Sequence, residues 1–529
     1  MTEALVLVTT LGVVVALAAL AKQIKVPYPI ACVLGGVALG LFPSLPHPHF
    51  DPDTILMLVL PPLLFGAAWT TDWFEFKRNR AIIALMAVGL VIFTMLAVAV
   101  VARRIPGFSW PIALTLGAIV SPPDAVAAEA VFSLLTVPRR IVSIIGGECL
   151  LNDATALVLY RFTVAAALTG TFVVGSVTVG FVLVAAGGVL TGLACGFLIE
   201  GAIRFLRRTS LDEPTIVNVL LILAPYASYL PAEALHCSGV LAAVSAGLLL
   251  SRRSTAFVDS EARITGNAIW QLLLFLLNAF VFVLIGLQLP GIVDMLGGGV
   301  RTYLVDAVLV SLVVVAVRFM WVFASVYGLR LIPRIARSYP RPRWQGVTIV
   351  AWAGMRGVVS LAVALALPYE FGLGSAGPVR GEVIFFTFCV IIVTLVGQGL
   401  TLNPLIHWLG VSESSAAQRS ETELRVRALE EGIARIRALE ERFSTPAQWE
   451  VAGRLLGEYE HRIEQLRGRL DAAEATSERE EVAVDRSLQK EALDAERRAI
   501  ARMRAGGEIP DEIYRSIEYD LDLADVRLA

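Results

Sequence analysis

The chain has 529 residues, of which 56% are hydrophobic and 17% charged, and its formal net charge is −2. Its mean hydropathy is +0.71, which excludes a soluble globular protein of this length and predicts an integral membrane protein. The small net charge conceals two parts, because residues 1–411 hold 25 Lys/Arg and 19 Asp/Glu whereas residues 412–529 hold 19 and 27. We therefore predict a membrane domain over 1–411 and an aqueous tail over 412–529.

The apolar segments of the first part have the length of membrane-crossing helices, which need about 20 apolar residues each. The first begins almost at the amino terminus with no basic segment before it, which favours a transmembrane helix over a cleaved signal peptide. In chain order we predict thirteen spans, at 4–21, 28–45, 54–71, 81–102, 109–135, 138–168, 172–203, 214–231, 236–251, 264–289, 302–331, 344–369 and 380–409.

Loop charges give an independent test of this count, because cytoplasmic loops carry an excess of Lys and Arg. With the amino terminus outside, the predicted cytoplasmic loops hold 18 basic residues. The outside loops hold only Arg103, Arg104, Arg301 and Arg380. The asymmetry favours thirteen helices, with the amino terminus outside and the tail in the cytoplasm.

Span five contains the segment "GAIVSPPDAVAAEAVF", in which Pro122 and Pro123 interrupt an apolar helix. Prolines donate no backbone N–H, so carbonyl groups one turn earlier lose their helical partners and the helix should break. A broken helix is tolerated at membrane depth where it lines a cavity, and its free carbonyls and half-helix ends can bind ions. Asp124 would stand near the start of the second half-helix, where the dipole favours an anion. The alternative is a kink that serves packing only.

Span six contains "IIGGECLLNDATALVLYRF", which has two carboxylates and an amide in an apolar helix. Glu148 and Asn152 are four residues apart and share a helix face, whereas Asp153 is turned about 100° further round. The two carboxylates should therefore have different neighbours. We expect Asp153 to face the break near Asp124 and Glu148 to face an arginine.

Arg318 in "VVVAVRFMWVF" lies in the middle of span eleven with no acidic residue nearby in sequence. A charged side chain at the centre of a span costs about 2.5–3.5 kcal/mol on insertion scales, so it needs a partner. A buried Glu148–Arg318 pair would neutralise both and would serve structure. For Asp153 the alternative to ion binding is a salt bridge with Arg356 or Arg161.

Arg356 lies in span twelve, in "AWAGMRGVVSLAVALALP", where Gly354 and Gly357 flank it and loosen the helix. Span twelve corresponds to span five if spans 1–6 and 8–13, about residues 4–168 and 214–409, are inverted repeats. Two interrupted helices at corresponding positions point to a binding site at the repeat interface.

The tail has a helical pattern, with one apolar face formed by Leu429, Ile433, Ile436, Leu439 and Phe443. Thr445, Pro446 and Gln448 then have the pattern that opens another helix. We expect a solvated surface, with regulation or dimer contact as a second role. No catalytic triad, phosphate loop or metal cluster is recognisable in the sequence, so we predict neither an enzyme nor a cofactor.

Seven segments together resemble bacterial sodium/proton antiporters of the NhaP type, relatives of the animal sodium/proton exchangers. Each alone is weak, but they occur in the family's order across nearly the whole membrane part. They are "LVLPPLLFGAAW", "SPPDAVAAEAVF", "GGECLLNDATALV", "HCSGVLAAVSAGL", "FVLIGLQL", "GMRGVVSLAVALALP" and "QGLTL".

The resemblance implies an all-α polytopic protein of the bacterial inner membrane. It implies a homodimer of thirteen-helix protomers, each with a dimerisation domain and a six-helix core in which two unwound helices cross, here spans five and twelve. The implied partners are Na+, K+ or Li+ together with H+, the lipid bilayer and a second copy of the chain, and no nucleic acid.

The resemblance also assigns roles by motif. Asp153 matches the aspartate that binds cation or proton in turn, Asn152 its neighbour, and Asp124 the aspartate of the unwound helix. Glu148 and Arg318 match a structural ion pair, and Arg356 the arginine of the second crossed helix. The Asn-Asp pair is similar to that of electroneutral one-for-one exchangers.

Three positions depart from the family's pattern and remove oxygen ligands. Pro123 stands where threonine is frequent, Gly66 where many relatives have an acidic residue, and Cys149 where serine is common. Ser121, freed carbonyl groups and water could substitute, so the preferred ion is open.

The resulting hypothesis is exchange of a monovalent cation, first of all Na+, for H+ through competition at Asp153. The nearest alternative is a K+/H+ exchanger, and a cation channel is a second. An intramembrane aspartyl protease would also have two membrane-embedded aspartates, Asp124 and Asp153, but its Tyr-Asp and Gly-x-Gly-Asp motifs are absent around both.

Overall fold

The computed structural model describes most of the chain, and all structural statements refer to the described residues. These are 2–42, 52–132, 135, 137–170, 174–296, 300–331, 342–372, 379–411, 415–440, 445–471, 476–505, 517–518, 521–522 and 524. They fall into two compact units, Met1–Ser412 and Glu413–Ala529, which are described separately.

The described part of the first unit is helical and contains no strand. The first eight helices are α1 Thr2–Gln23, α2 Tyr28–Gly40, α3 Pro52–Thr70, α4 Trp73–Ala102, α5 Trp110–Val120, α6 Ala125–Phe132, α7 Arg139–Thr169 and α8 Val174–Arg208. The next eight are α9 Pro214–Ala234, α10 Gly239–Phe257, α11 Ser260–Leu287, α12 Leu289–Asp294, α13 Val300–Gly328, α14 Trp344–Trp352, α15 Val358–Leu365 and α16 Val379–Leu409.

Eight helical segments of the described chain are long and apolar enough to cross a membrane. They are Trp73–Ala102, Trp110–Phe132, Arg139–Thr169, Gly180–Arg208, Pro214–Ala234, Ser260–Asp294, Val300–Leu331 and Val379–Leu409. Shorter apolar helices lie at Thr9–Gln23, Tyr28–Gly40 and Met57–Thr70. The predicted all-α, multi-pass fold is therefore confirmed. Thirteen spans stay a prediction, and the predicted span ends at 43–45, 133–134 and 172–173 lie outside the described residues.

Proline and glycine mark many of the helix ends. Pro27 and Pro138 immediately precede α2 and α7, as expected for a residue that cannot donate a backbone hydrogen bond. Gly170 and Gly410 end α7 and α16 with φ of 70° and 61°, a left-handed conformation that glycine adopts without a steric penalty. Local sequence therefore sets where these helices begin and end.

Apart from the short α12, which contacts both, the helices of the first unit pack as two sets. The first set consists of α1–α3 and α8–α11, and the second of α4–α7 with α13–α16. Between them, α3 and α10 of the first set meet α7 of the second along an apolar seam. The seam contains Leu60, Leu64, Ala68, Leu150, Ala154, Val240 and Val244.

The second unit contains α17 Ser415–Leu439, α18 Pro446–Asp471 and α19 Thr476–Ala505. Ion pairs Arg437–Glu460 and Arg467–Glu430 show that α17 and α18 run antiparallel. Ile433 of the predicted apolar face is buried between them, whereas Phe443 lies outside the described residues. At the start of α18, Gln448 accepts a hydrogen bond from the Thr445 N–H at 3.1 Å.

Candidate functional site

Two interrupted helices cross in the second set. The first interruption separates α5 from α6 at Ser121–Asp124, and the second separates α14 from α15 at Ala353–Gly357. At the crossing the Asp124 N–H donates a hydrogen bond to the Met355 carbonyl at 2.7 Å. Backbone groups that lost helical partners are thus satisfied by the opposite break, which is how non-helical backbone is tolerated at this depth.

Arg356 completes the crossing by binding backbone carbonyl groups. Its Nε and Nη2 donate to the carbonyls of Val120 and Ser121 at 2.9 and 3.1 Å, and its Nη1 donates to Gly354 O. The Ser121 hydroxyl donates to Ala118 O at 2.9 Å. The sequence predicted free carbonyls one turn before the prolines, near Ala118 and Ile119. The guanidinium group instead binds the next two carbonyls, those of Val120 and Ser121, while the Ala118 carbonyl accepts from the Ser121 hydroxyl.

Asp124 stands immediately before α6, and its two carboxylate oxygens have different surroundings. Oδ1 accepts a hydrogen bond from the Val126 N–H at 2.9 Å, which caps the helix. Oδ2 is buried without a hydrogen-bond partner among the described residues. It lies so close to Gly357 that a Cβ atom there would overlap it. Only glycine at position 357 allows this approach.

Asn152 and Asp153 lie beside the crossing on α7. The Asn152 side chain is fully buried, and its Nδ2 donates to Pro123 O at 3.1 Å, which ties α7 to the first break. Asp153 is 8% exposed and makes no hydrogen bond or ion pair with a described residue. It is therefore a nearly buried carboxylate that no described side chain or backbone group neutralises.

A cavity of about 320 Å³, the Asp153 cavity, gives this carboxylate its exposure. It extends from Asp153 along α7 to Arg139. Other polar or helix-break residues that line it are Thr70, Thr71, Asp72, Glu75, Pro122, Pro123, Asp124, Glu129, Ser143, Cys149, Asn278, Gly357 and Ser360. The structure thus brings Asp124 and Asp153 into one cavity.

Glu148 and Arg318 form an ion pair behind this cavity. Arg318 Nη1 and Nη2 donate to the two Glu148 carboxylate oxygens at 2.6 and 3.0 Å, and Nη2 also donates to Val350 O at 3.1 Å. The two side chains are 0% and 1% exposed. Neither residue lines the Asp153 cavity, so the two charges neutralise each other outside it.

The two arginines considered as partners of Asp153 bind elsewhere. Arg356 binds backbone carbonyls, and Arg161 donates to both Glu233 carboxylate oxygens at 2.9 and 3.1 Å. The salt-bridge alternative for Asp153 is absent from the described part of the structure. Asp153 thus remains available to a ligand.

The three residues that depart from the family's pattern lie in different parts of the structure. Pro123 and Cys149 line the Asp153 cavity, and the Pro123 carbonyl accepts the Asn152 bond. Gly66 lies against Leu274 and does not line it. The Ser121 side chain is also outside the cavity wall.

Sequence reasoning missed Glu129, which lies five residues after Asp124 on α6. Its side chain is exposed, lines the Asp153 cavity and lies 3.6 Å from the position that a Cβ of Gly146 would take. The signal was present, because a charged residue within a predicted span is costly and needs a reason.

The chain is similar to several known proteins. A family model described as "Sodium/hydrogen exchanger, transmembrane" matches residues 9–408. The chain is 33% identical over 520 residues to an uncharacterized Na+/H+ exchanger, YjcE, of Escherichia coli K12, covering 95% of each chain. It is 34% identical over 391 residues to the sodium, potassium, lithium and rubidium/H+ antiporter of Bacillus pumilus, covering 72% of this chain and 58% of that one.

A solved structure shares the fold. The sodium proton antiporter MjNhaP1 from Methanocaldococcus jannaschii matches with a TM-score of 0.58 at 19% sequence identity. The match covers 77% of this chain and 99% of that chain.

Proposed function

Because this chain belongs to the sodium/hydrogen exchanger family, a family of transporters rather than enzymes, we propose that it exchanges a monovalent cation, first of all Na+, for H+. One observation carries the proposal. Asp153 is nearly buried, lines a cavity and has no partner among the described residues, so a small cation or a proton would neutralise its charge.

Competition for one carboxylate would couple the two fluxes. An ionised, unpaired carboxylate is costly to enclose in a low-dielectric interior, at several kcal/mol per ion. Binding of H+ or of a monovalent cation removes that cost equally, since each neutralises one charge. With an empty site, the protein therefore changes slowly between the states that are open to opposite sides of the membrane. Each rapid change carries either a bound proton or a bound cation across. The exchange is one for one and electroneutral.

The structure supports different roles for the neighbouring residues. A hard cation prefers oxygen ligands, and the free Oδ2 of Asp124 offers one in the same cavity as Asp153. Asn152 positions α7 through its bond to Pro123, and water completes the shell. The shape of the two helix breaks is maintained by Ser121 and Arg356, together with Pro122, Gly354 and Gly357. Glu148 and Arg318 hold α7 against α13.

We assign the protein to a bacterial inner membrane, since several of its relatives are bacterial, with its amino terminus outside and its tail inside. A homodimer in the bilayer is the assembly that we propose. In this orientation the Asp153 cavity opens toward the cytoplasm, because it ends at Arg139 in a predicted cytoplasmic loop.

A K+/H+ exchanger is the second candidate. The Bacillus pumilus relative is named for sodium, potassium, lithium and rubidium, so this family includes broad selectivity. The exposed Glu129 and the cavity volume of about 320 Å³ leave room for a partly hydrated cation, which favours a loosely coordinated, less selective site.

The experiment is exchange in proteoliposomes, followed by quenching of a pH-sensitive dye on addition of Na+, Li+ or K+. Asp153→Asn, which keeps the shape and removes the charge, should abolish the signal with every cation. Asp259→Asn is the matched control, because Asp259 is about half exposed and lies outside the cavity. Retained exchange in Asp153→Asn refutes the assignment, and cation current without proton movement would make the protein a channel.

A further inference from the structure

A second cavity of about 390 Å³, the Arg161 cavity, lies at the other end of the same helices. Helices α3, α7 and α15 line both cavities. In α7 the Asp153 cavity is lined by residues up to Asp153 and the Arg161 cavity by residues from Leu157 to Arg161. Leu60 of α3 lines both. The two spaces are therefore end-to-end neighbours separated by a thin wall.

The length of α7 is sufficient for the two cavities to reach opposite surfaces of a bilayer. With a rise of about 1.5 Å per residue, Arg139 and Arg161 are about 33 Å apart, close to the hydrocarbon thickness of about 30 Å. Asp153 lies between them, one helical turn from Leu157. A small shift of α7 relative to the first set would move Asp153 from one cavity to the other.

The wall between the cavities is suited to such a shift. It belongs to the apolar seam, where Leu150 and Ala154 of α7 pack on Leu60 and Leu64 of α3 and on Val240 of α10. Apolar contacts are non-directional, so sliding along this surface breaks no hydrogen bond in it. The seam alone therefore does not fix the position of α7 along its axis.

An ion pair crosses from the second set to the first at the Arg161 cavity. Arg161 of α7 donates to both carboxylate oxygens of Glu233 on α9, and both residues line the cavity. Their side chains are 52% and 29% exposed, so the pair is solvated and can open and close.

The acidic partner is fixed to its own set. Glu233 Oε1 also accepts a hydrogen bond from the Gly239 N–H at 3.2 Å, across the turn that joins α9 to α10. That turn is tight, with His236 at φ 57° and the Cys237 N–H bonded to Ala232 O at 2.8 Å. Ser238 N–H donates to Val184 O of α8 at 3.1 Å. Glu233 is therefore a rigid anchor, whereas Arg161 moves with α7.

We propose that the Arg161–Glu233 ion pair is a latch that stabilises the state in which Asp153 faces the Asp153 cavity. When α7 shifts, the pair separates and the Arg161 cavity becomes the second access route to Asp153. The inference deepens the proposed exchange and rests on it. It also gives Arg161, which lies within a predicted span, a conformational role.

The test measures accessibility of introduced cysteines to a membrane-impermeant thiol reagent, in a background with the five native cysteines replaced by alanine. Ser143→Cys lines the Asp153 cavity and Leu157→Cys the Arg161 cavity, so they should react from opposite sides of the membrane. Ala154→Cys, buried in the seam at 2% exposure, should react only when the seam opens.

Arg161→Gln should raise the labelling rate of Ala154→Cys by roughly 2- to 5-fold, the range expected for loss of a solvated ion pair. A charge-swapped variant, Arg161→Glu with Glu233→Arg, should bring the rate back toward that of the parent. Arg207→Gln is the matched control, because it breaks another exposed pair between helices, with Asp259, away from both cavities.

Labelling of Ser143→Cys and Leu157→Cys from the same side would overturn the inference. So would an Ala154→Cys rate in Arg161→Gln that matches the parent, or a rate that Arg207→Gln raises equally. Labelling requires no ion flux, so the two assays are independent. Absence of exchange in the parent protein would refute the proposed function, whereas the labelling rates alone decide whether the latch exists.

Discussion

Neutralising Glu148 should destabilise the membrane unit, because it leaves Arg318 buried without a counter-charge. The pair is 0% and 1% exposed, and both Glu148 oxygens accept from Arg318. Gly354 lies against the Arg318 guanidinium, and its carbonyl accepts from Arg356. In Glu148→Gln two buried guanidinium groups would therefore flank Gly354 with no carboxylate beside Arg318. Breaking a buried pair on one side costs about 3–5 kcal/mol.

The assay is thermal unfolding of the detergent-solubilised protein, in which Glu148→Gln should lower the apparent melting temperature by several degrees. Replacing both partners, as in Glu148→Gln with Arg318→Met, should recover much of the loss, since no unpaired charge remains. Glu261→Gln, at an exposed position of α11, is the control and should change little. A melting temperature of Glu148→Gln within about 1 °C of the parent, or no recovery in the double variant, would refute the structural role that we give the pair.

Two further predictions concern the crossing. Gly357→Ala should abolish exchange in the dye assay, because the new Cβ displaces the Asp124 carboxylate, at an overpacking cost of about 1–3 kcal/mol. Gly346→Ala is the control and should retain exchange, because its Cβ would meet Ile141 at an ordinary contact distance of 3.6 Å. Arg356→Lys keeps the charge but cannot reproduce both bonds to the carbonyls at the first break. Each carbonyl left without a partner should lower the free energy of unfolding by about 1–3 kcal/mol, which thermal unfolding would detect. Unchanged stability would contradict this role of Arg356.

Much of the fold could be predicted because its signals are local. Apolar length predicts membrane helices, and the proline pair at Pro122 and the glycines around Arg356 mark the breaks between α5 and α6 and between α14 and α15. The helical repeat of 3.6 residues also predicts that Glu148 and Asp153 lie on different faces of α7. In the structure the first lies at Arg318 and the second in the Asp153 cavity.

Other features could not be predicted because they depend on contacts between distant segments. The sequence left Arg161 and Arg356 as candidate partners of Asp153, whereas the structure pairs Arg161 with Glu233 and Arg356 with backbone carbonyls. Nothing in the sequence singles out Glu233, because it lies near a predicted helix end, where a charged residue requires no explanation. Glu129 was likewise overlooked on its apolar half-helix.

The sequence by itself determined that this chain lies in a membrane, that two of its helices break, and that carboxylates and arginines stand where water is scarce. Only the tertiary structure decided which of these charges meet. Glu148 and Arg318 are 170 residues apart, and Arg356 and Val120 are 236 apart, so helix crossing rather than any local preference joins them. Many buried polar groups find partners on distant helices, whereas Asp153, which faces its cavity, has no hydrogen-bond or ion-pair partner among the described residues.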